Sequence, residues 1–181
     1  AAGGEISVLD PGGYGAVTIT KGMTISGDGT LASILASLTN GIIVNAPDTA
    51  RVVLRNLSIH GGGNGLDGIR YLAGGSLVVE QCTIEGFTGQ GIEVLSTTPG
   101  SLLEKDTSIR GVLTGVQVDA TAARFPAVLS RVTITGTTDA VRSVARTLQV
   151  VGSTLSSNSG TAVLAEGGTI PWLVLPYAGR M

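Results

Sequence analysis

The chain is poor in the groups that usually staple or activate a small protein. Its 181 residues contain one cysteine (Cys82), one histidine (His60) and one tryptophan (Trp172), and aromatics make up only 3%. A single cysteine excludes an internal disulfide. One histidine and one cysteine exclude a metal centre built on imidazole and thiolate pairs. Charged residues are 13% of the chain, the net charge is −2 and no basic cluster occurs. That balance excludes nucleic-acid binding driven by phosphate neutralisation. Apolar residues reach 43%, yet no run approaches the roughly 18 uninterrupted apolar residues of a membrane helix. No membrane span is expected, and nothing in the sequence requires a cofactor.

Glycine is abundant, with 28 copies, and much of it is periodic. The segments 52–62, 77–87, 102–112 and 127–137 each carry an isoleucine followed two residues later by glycine. These isoleucines, Ile59, Ile84, Ile109 and Ile134, are spaced 25 residues apart. A fixed period of this size marks a solenoid, in which each repeat stacks only on its neighbours. An earlier copy reads as Ile25 with Gly27, and a looser later one as Leu148, Val150, Ser153 and Leu155.

Within each repeat the apolar residues alternate with period two, as strands do. The inward set reads Val52, Leu54, Leu57 and Ile59, then Leu77, Val79, Cys82 and Ile84, and so on. Cys82 is thus expected to be a small buried core residue with an inert thiol. A second run follows each repeat at 41–46, 68–72, 91–95, 115–119, 140–144 and 162–166, opened by glycine or alanine. A small residue there suggests a tight bend. Three strand runs per turn and no helical period predict an all-β, parallel β-helix of about 25 residues per coil, in roughly six to seven coils. The stretch 30–38 has leucines at helical spacing, but its neighbours favour strand or irregular coil.

One domain spanning 1–181 is expected. Residues 169–181 hold Trp172, Pro171 and Pro176. Proline cannot donate to an internal ladder, so this segment reads as a C-terminal cap or an interface. The start shows no amphipathic helix that could close the other end, and an uncovered end invites a partner copy. The chain does not begin with Met and reads as a trimmed piece of a longer product.

The opening 5–30, with LDPGGYG at 9–15 and the L-x-V-x-x-x-x-I-x-G repeats, resembles the right-handed parallel β-helix repeat proteins of bacteria, in the pectate-lyase-like superfamily. The resemblance covers the chain to about residue 165. It implies a right-handed coil, a secreted or cell-surface setting and a possible polysaccharide partner. It implies no settled activity, since that superfamily includes lyases, hydrolases, tailspikes and plain surface proteins.

Candidate chemistry lies in ladders of outward residues. The residues after the marker isoleucines give Ser26, His60, Glu85, Arg110, Thr135 and Ser156. His60, Glu85 and Arg110 would form a catalytic set, a general base or acid tuned by a carboxylate beside a cation for an anionic sugar. The alternative is a favourable stack of alternating charges. A second ladder, Arg70, Glu93, Gln117 and Arg142, would make a shallow glycan-binding groove, with Asp67, Asp119 and Asp139 on its flanks. No two carboxylates fall on equivalent positions of adjacent coils, which argues against a paired-acid glycosidase and a dedicated calcium site. A hydroxyl column, Thr24, Ser58, Thr83, Ser108, Thr133 and Thr154, raises ice or surface binding as a third reading. The glycine-rich 61–65 follows a strand but opens no helix, so it is no phosphate loop. Glu104 aligns with inward leucines and valines, and a local bulge is expected to turn it outward beside Lys105.

The leading expectation is a non-catalytic extracellular module with a structural or glycan-contacting role. The alternative is a lyase or hydrolase using His60, Glu85 and Arg110.

Overall fold

The computed structural model describes residues 3–122, 124–144, 147–166 and 169–174, the last of these as backbone only. The chain winds through three parallel sheets. The first contains Gly4–Ser7, Met23–Ser26, Arg51–Arg55, Ser76–Glu80, Leu102–Lys105, Pro126–Ser130, Thr147–Val151 and Thr169–Val174. The second contains Gly12–Tyr14, Ala32–Leu35, Leu57–Gly65, Thr83–Phe87, Ser108–Arg110, Thr133–Thr135 and Thr154–Ser156. The third contains Val17–Ile19, Ile42–Asn45, Ile69–Ala73, Gln90–Val94, Thr114–Val118, Asp139–Ser143 and Val163–Ala165. Each coil takes one strand from each sheet in order, which makes seven coils and one further strand, with no helix among the described residues. Accordingly, no described helix is long and apolar enough to cross a membrane.

Stacked aliphatic columns hold the coils together. Leu54, Val79 and Leu129 line up in the first sheet, Ile59, Ile84, Ile109 and Ile134 in the second, and Ile69, Ile92, Val116 and Val141 in the third. All eleven are fully buried. A parallel sheet can keep such columns only if every coil turns its corners at the same place.

Two sets of backbone positions fix those corners. Asn56, Gln81, Asp106, Arg131 and Gly152 have φ between 51 and 59° and separate the first sheet from the second. Gly86, Gly111 and Gly136 have φ of 73, 60 and 64° and end the second sheet. In three of the four Ile-x-Gly copies the glycine is thus a left-handed residue, which glycine enters without steric cost; Gly61, in the fourth, lies inside the strand Leu57–Gly65. Small residues at the start of the third sheet have a different cause. A Cβ on Gly91 would lie 2.6 Å from the Cγ2 of Ile109 and 2.6 Å from the carbonyl of Gly115. The glycine of one coil makes room for the marker isoleucine of the next.

Residues 30–38 contain the strand Ala32–Leu35, as the neighbouring strands suggested. Thr169–Val174 forms the last strand of the first sheet, with a register irregularity between Thr147 and Gln149 of its partner, next to Pro171. Residues 175–181, the rest of the expected cap, lie outside the described residues, as does the side chain of Trp172.

Two expectations are corrected. Ile25 belongs to the first sheet and pairs with Leu54, so Thr24 faces Val53 and Ser26 pairs with Arg55. The second-sheet positions of that coil are held instead by Ser33, Ile34 and Leu35, opposite Ser58, Ile59 and His60. That coil is 29 residues long where the next are 25. Its Ile-Ser-Gly mimics the marker at the wrong corner.

Glu104 is the second. No bulge turns it out: it pairs with Val79 below and Leu129 above in unbroken register. Its side chain is fully buried and neither carboxylate oxygen has a hydrogen-bond partner. A one-residue slip would have expelled Leu102 from the core as well, and the ladders on both sides hold the register. Burial pushes its carboxyl up to about 8.

Candidate functional site

The outer face of the second sheet carries two parallel columns, because residues on either side of each marker isoleucine point away from the core. One is all hydroxyl: Ser33, Ser58, Thr83, Ser108, Thr133 and Thr154, in register over six coils. The other reads Leu35, His60, Glu85, Arg110, Thr135 and Ser156. Sequence reasoning missed Ser33 and Leu35, since the altered coil length shifts them against the marker spacing.

His60, Glu85 and Arg110 are brought together as expected. The Arg110 Nε–H donates to Glu85 Oε2 in a close ion pair. His60 Nε2 stands 3.8 Å from Glu85 Oε1. The hydrogen bond from Arg110 holds the Glu85 carboxyl below its usual range, helped by the charges of Arg110 and His60. His60 Nδ1 accepts the backbone N–H of Gly62 at 2.9 Å.

Beside this column runs a shallow groove of about 390 Å³, lined by His60, Glu85, Gly86, Arg110, Gly111, Thr135 and Gly136. Its floor is backbone, because Gly86, Gly111 and Gly136 stack one per coil. The glycine-rich bulge 61–64 lies beside Gly86, where a Cβ would come within 3.4 Å of the Gly63 nitrogen. The register shifts there, with Glu85 opposite His60 but Phe87 opposite Gly65. Gly61 and Gly65 leave room for backbone and ring together: a Cβ would lie 2.4 Å from the carbonyl of Gly86 or Ala36 and 2.7 Å from the Phe87 ring.

On the third sheet, Arg70, Glu93, Gln117 and Arg142 also form the expected column. Arg70 Nη1 lies 3.0 Å from Asp67 Oδ2 and 3.2 Å from Glu93 Oε2. Gln117 Nε2 donates to Asp119 Oδ2 at 2.5 Å, and Arg142 pairs with Glu166 at 2.9 Å. Burial raises the Glu93 carboxyl first, and the charges of Asp67 and Asp119 add to it. Of the flanking carboxylates, Asp67 and Asp119 act on Glu93, while Asp139 accepts the backbone N–H of Thr161 at 2.7 Å. Among the described residues, no group of three His, Cys, Asp or Glu could hold a metal ion.

A third set of charges was not anticipated. Asp28, Arg55, Glu80, Lys105, Asp106 and Arg131 form a chain of ion pairs along the corner between the first and second sheets, at 2.6–3.8 Å. Its signal was present in the sequence as Arg55, Glu80 and Lys105 at the period of 25. In two of the columns one coil supplies the acid, Glu80 or Glu85, between basic residues of adjacent coils; in the third, Glu93 stands between Arg70 and Gln117. The arrangement ties coil to coil through ion pairs.

Fold and columns together define a parallel β-solenoid with polar, regularly spaced outer faces. The family described as "Right handed beta helix region" matches residues 21–173, most of the chain. The chain belongs to this right-handed β-helix family. No curated protein matches it in sequence.

Proposed function

We propose that this chain is a non-catalytic, secreted or cell-surface β-helix module of the bacterial pectate-lyase-like kind, which contacts an extended polysaccharide through the outer face of its second sheet and assembles with copies of itself through an end of the solenoid or through residues 169–181. The observation that carries the glycan reading is the pairing of a hydroxyl column and a mixed polar column with a glycine-floored groove. The coils repeat about every 4.8 Å, comparable to the length of one sugar in an extended chain. Glycine backbone offers sugar rings a flat surface, while hydroxyl and charged groups at each coil offer hydrogen bonds to successive sugars.

The chemistry of the column favours binding over bond cleavage. A general acid needs a raised carboxyl and a general base needs a free one. Arg110 holds the Glu85 carboxyl low, so Glu85 serves neither role itself and His60 is the one acid or base of the column. The alternative, a lyase or hydrolase, would use His60 as its acid or base, tuned by Glu85 at 3.8 Å, with Arg110 binding an anionic sugar. Ice binding through the hydroxyl column is disfavoured by its neighbours Leu35, Glu85 and Arg110, which break a regular hydroxyl surface.

The test is a panel of neutral and acidic polysaccharides, with and without calcium, scored for retardation of the protein in affinity gels and for new reducing ends. Retardation by at least one member, weakened by Arg110→Ala and without new ends, is the expected result. New reducing ends would overturn the reading in favour of the enzyme.

A further inference from the structure

Residues 61–64 are inserted in the second sheet. Gly61, Gly62, Gly63 and Asn64 stand between His60, opposite Glu85, and Gly65, opposite Phe87, where the next coil has Gly86 alone. Neighbouring coils fix both ends of the insertion. The Ala36 N–H donates to the His60 carbonyl at 2.9 Å, the Leu66 N–H to the Thr39 carbonyl at 2.9 Å, and the Thr88 N–H and hydroxyl to the Gly65 carbonyl at 2.8 Å. Between these anchors two side chains hold the bulge. The Ser37 hydroxyl donates to Asn64 Oδ1 at 3.0 Å, and His60 Nδ1 accepts the Gly62 N–H at 2.9 Å. Gly62 and Gly63 have φ of 65 and 83°, a conformation glycine enters and leaves at little cost. The shape of the bulge therefore depends on its ties.

The tie to His60 fixes the tautomer of the ring. A ring nitrogen that accepts a hydrogen bond carries no hydrogen, so the neutral ring holds its proton on Nε2, 3.8 Å from Glu85 Oε1. Histidine is the side chain that ordinarily changes charge between pH 5 and 8. A proton taken up from water can add only at Nδ1, and both ring nitrogens are then donors. Nδ1–H and the Gly62 N–H then face each other as two donors, and their hydrogen bond is lost. Among the described residues the charged groups facing the ring are Glu85 and, bonded to its other oxygen, Arg110. The bulge itself is uncharged, and Leu35 lies opposite His60 on the preceding coil.

Ring and bulge together wall the groove. The space over Gly86 is bounded by the nitrogens of Gly63 and Gly62 and by His60 Cε1, which a Cβ there would meet at 3.4, 3.7 and 3.5 Å. Movement of 61–64 therefore reshapes the groove beside Gly86.

We propose that His60 is a proton-operated latch on residues 61–64: the neutral ring holds the bulge against the groove, and the protonated ring releases it. The use of this latch in glycan contact rests on the proposed glycan groove. The latch itself is a property of the free protein, so either can fail without the other.

Nuclear magnetic resonance of the free, isotope-labelled protein between pH 8 and 5 tests it. At pH 8 the ring shows the Nε2–H tautomer and a scalar coupling across the hydrogen bond from Gly62 N–H to His60 Nδ1. On acidification the coupling disappears, and the amides of Gly62, Gly63, Asn64 and Gly86 shift in one step with the His60 ring. His60→Ala abolishes that step. The side chain is 45% exposed and outside the core, so this variant keeps the fold, and circular dichroism checks it. The Nδ1–H tautomer or no coupling at pH 8 would overturn the latch in the unaltered protein. A step confined to His60 and Gly62, or one that survives His60→Ala, would overturn it as well.

Discussion

Glu104 gives the account its sharpest quantitative exposure. Its carboxyl lies in the middle of the core, between Val79 and Leu129, with no partner for either oxygen. The ordinary value of 4.5 is pushed to about 8 by burial. Below pH 4.5 the group is neutral in both states and costs nothing through ionisation. As pH rises past 4.5 the unfolded chain loses the proton while the folded chain keeps it, so stability falls until the folded group also ionises near pH 8. At 1.36 kcal/mol per pH unit this loss is about 3 kcal/mol at pH 7 and about 5 kcal/mol above pH 8. Glu104→Leu removes the loss and fills the same column with a side chain the neighbours already accept. Urea unfolding at pH 5, 7 and 9 should show the variant gaining on the parent by about 1 kcal/mol at pH 5, and progressively more at 7 and 9. Glu104→Gln should flatten the same pH dependence while keeping the cost of an unpaired buried polar group. Parallel pH profiles for parent and variants would mean that Glu104 is hydrated in the fold, and the register of the fifth coil would be refuted with it.

Three further outcomes follow from the packing. Gly91→Ala should cost about 1–3 kcal/mol by overpacking, since its Cβ would meet Ile109 and the Gly115 carbonyl at 2.6 Å, and thermal melts would read it. Phe87→Ala should cost about 3–5 kcal/mol, because the ring is buried under the glycine-rich bulge with 3% exposure; a cost near zero in urea titration would show the ring to be surface-held. Burial is the main cause pushing the Cys82 thiol up to about 12, with a smaller contribution from Glu104. The native protein should therefore resist a thiol reagent at pH 8 and react at the rate of unfolding, whereas rapid labelling would place Cys82 outside the core.

The fold was legible because the period of the sequence is the period of the structure. Once Ile59, Ile84, Ile109 and Ile134 were aligned, the inward columns and the expected ladders fell into place. Legibility failed where a coil departs from 25 residues. Ile25 followed by Gly27 looks like the marker, but Gly27 sits at the other corner, where a Cβ would lie 2.4 Å from the Asn56 carbonyl and 2.7 Å from the Ala32 Cβ. Local sequence cannot distinguish two corners that both need glycine. Glu104 failed for a different reason: the penalty for burying a carboxylate argues for a bulge, while parallel ladders on both sides hold the register more firmly than one side chain can oppose. The groove beside His60 was partly legible, since its side chains are periodic. Its glycine floor was not, because a repeated glycine reads equally as a turn.

The most direct test of the central claim is a titration of isotope-labelled protein with an oligosaccharide from whichever polysaccharide binds, followed by backbone amide shifts. The account predicts changes concentrated at Ser58, Thr83, Gly86, Arg110, Gly111 and Thr135, with the oligosaccharide recovered intact. Changes centred on Arg70, Glu93 and Gln117, or none at all on the second sheet, would contradict it.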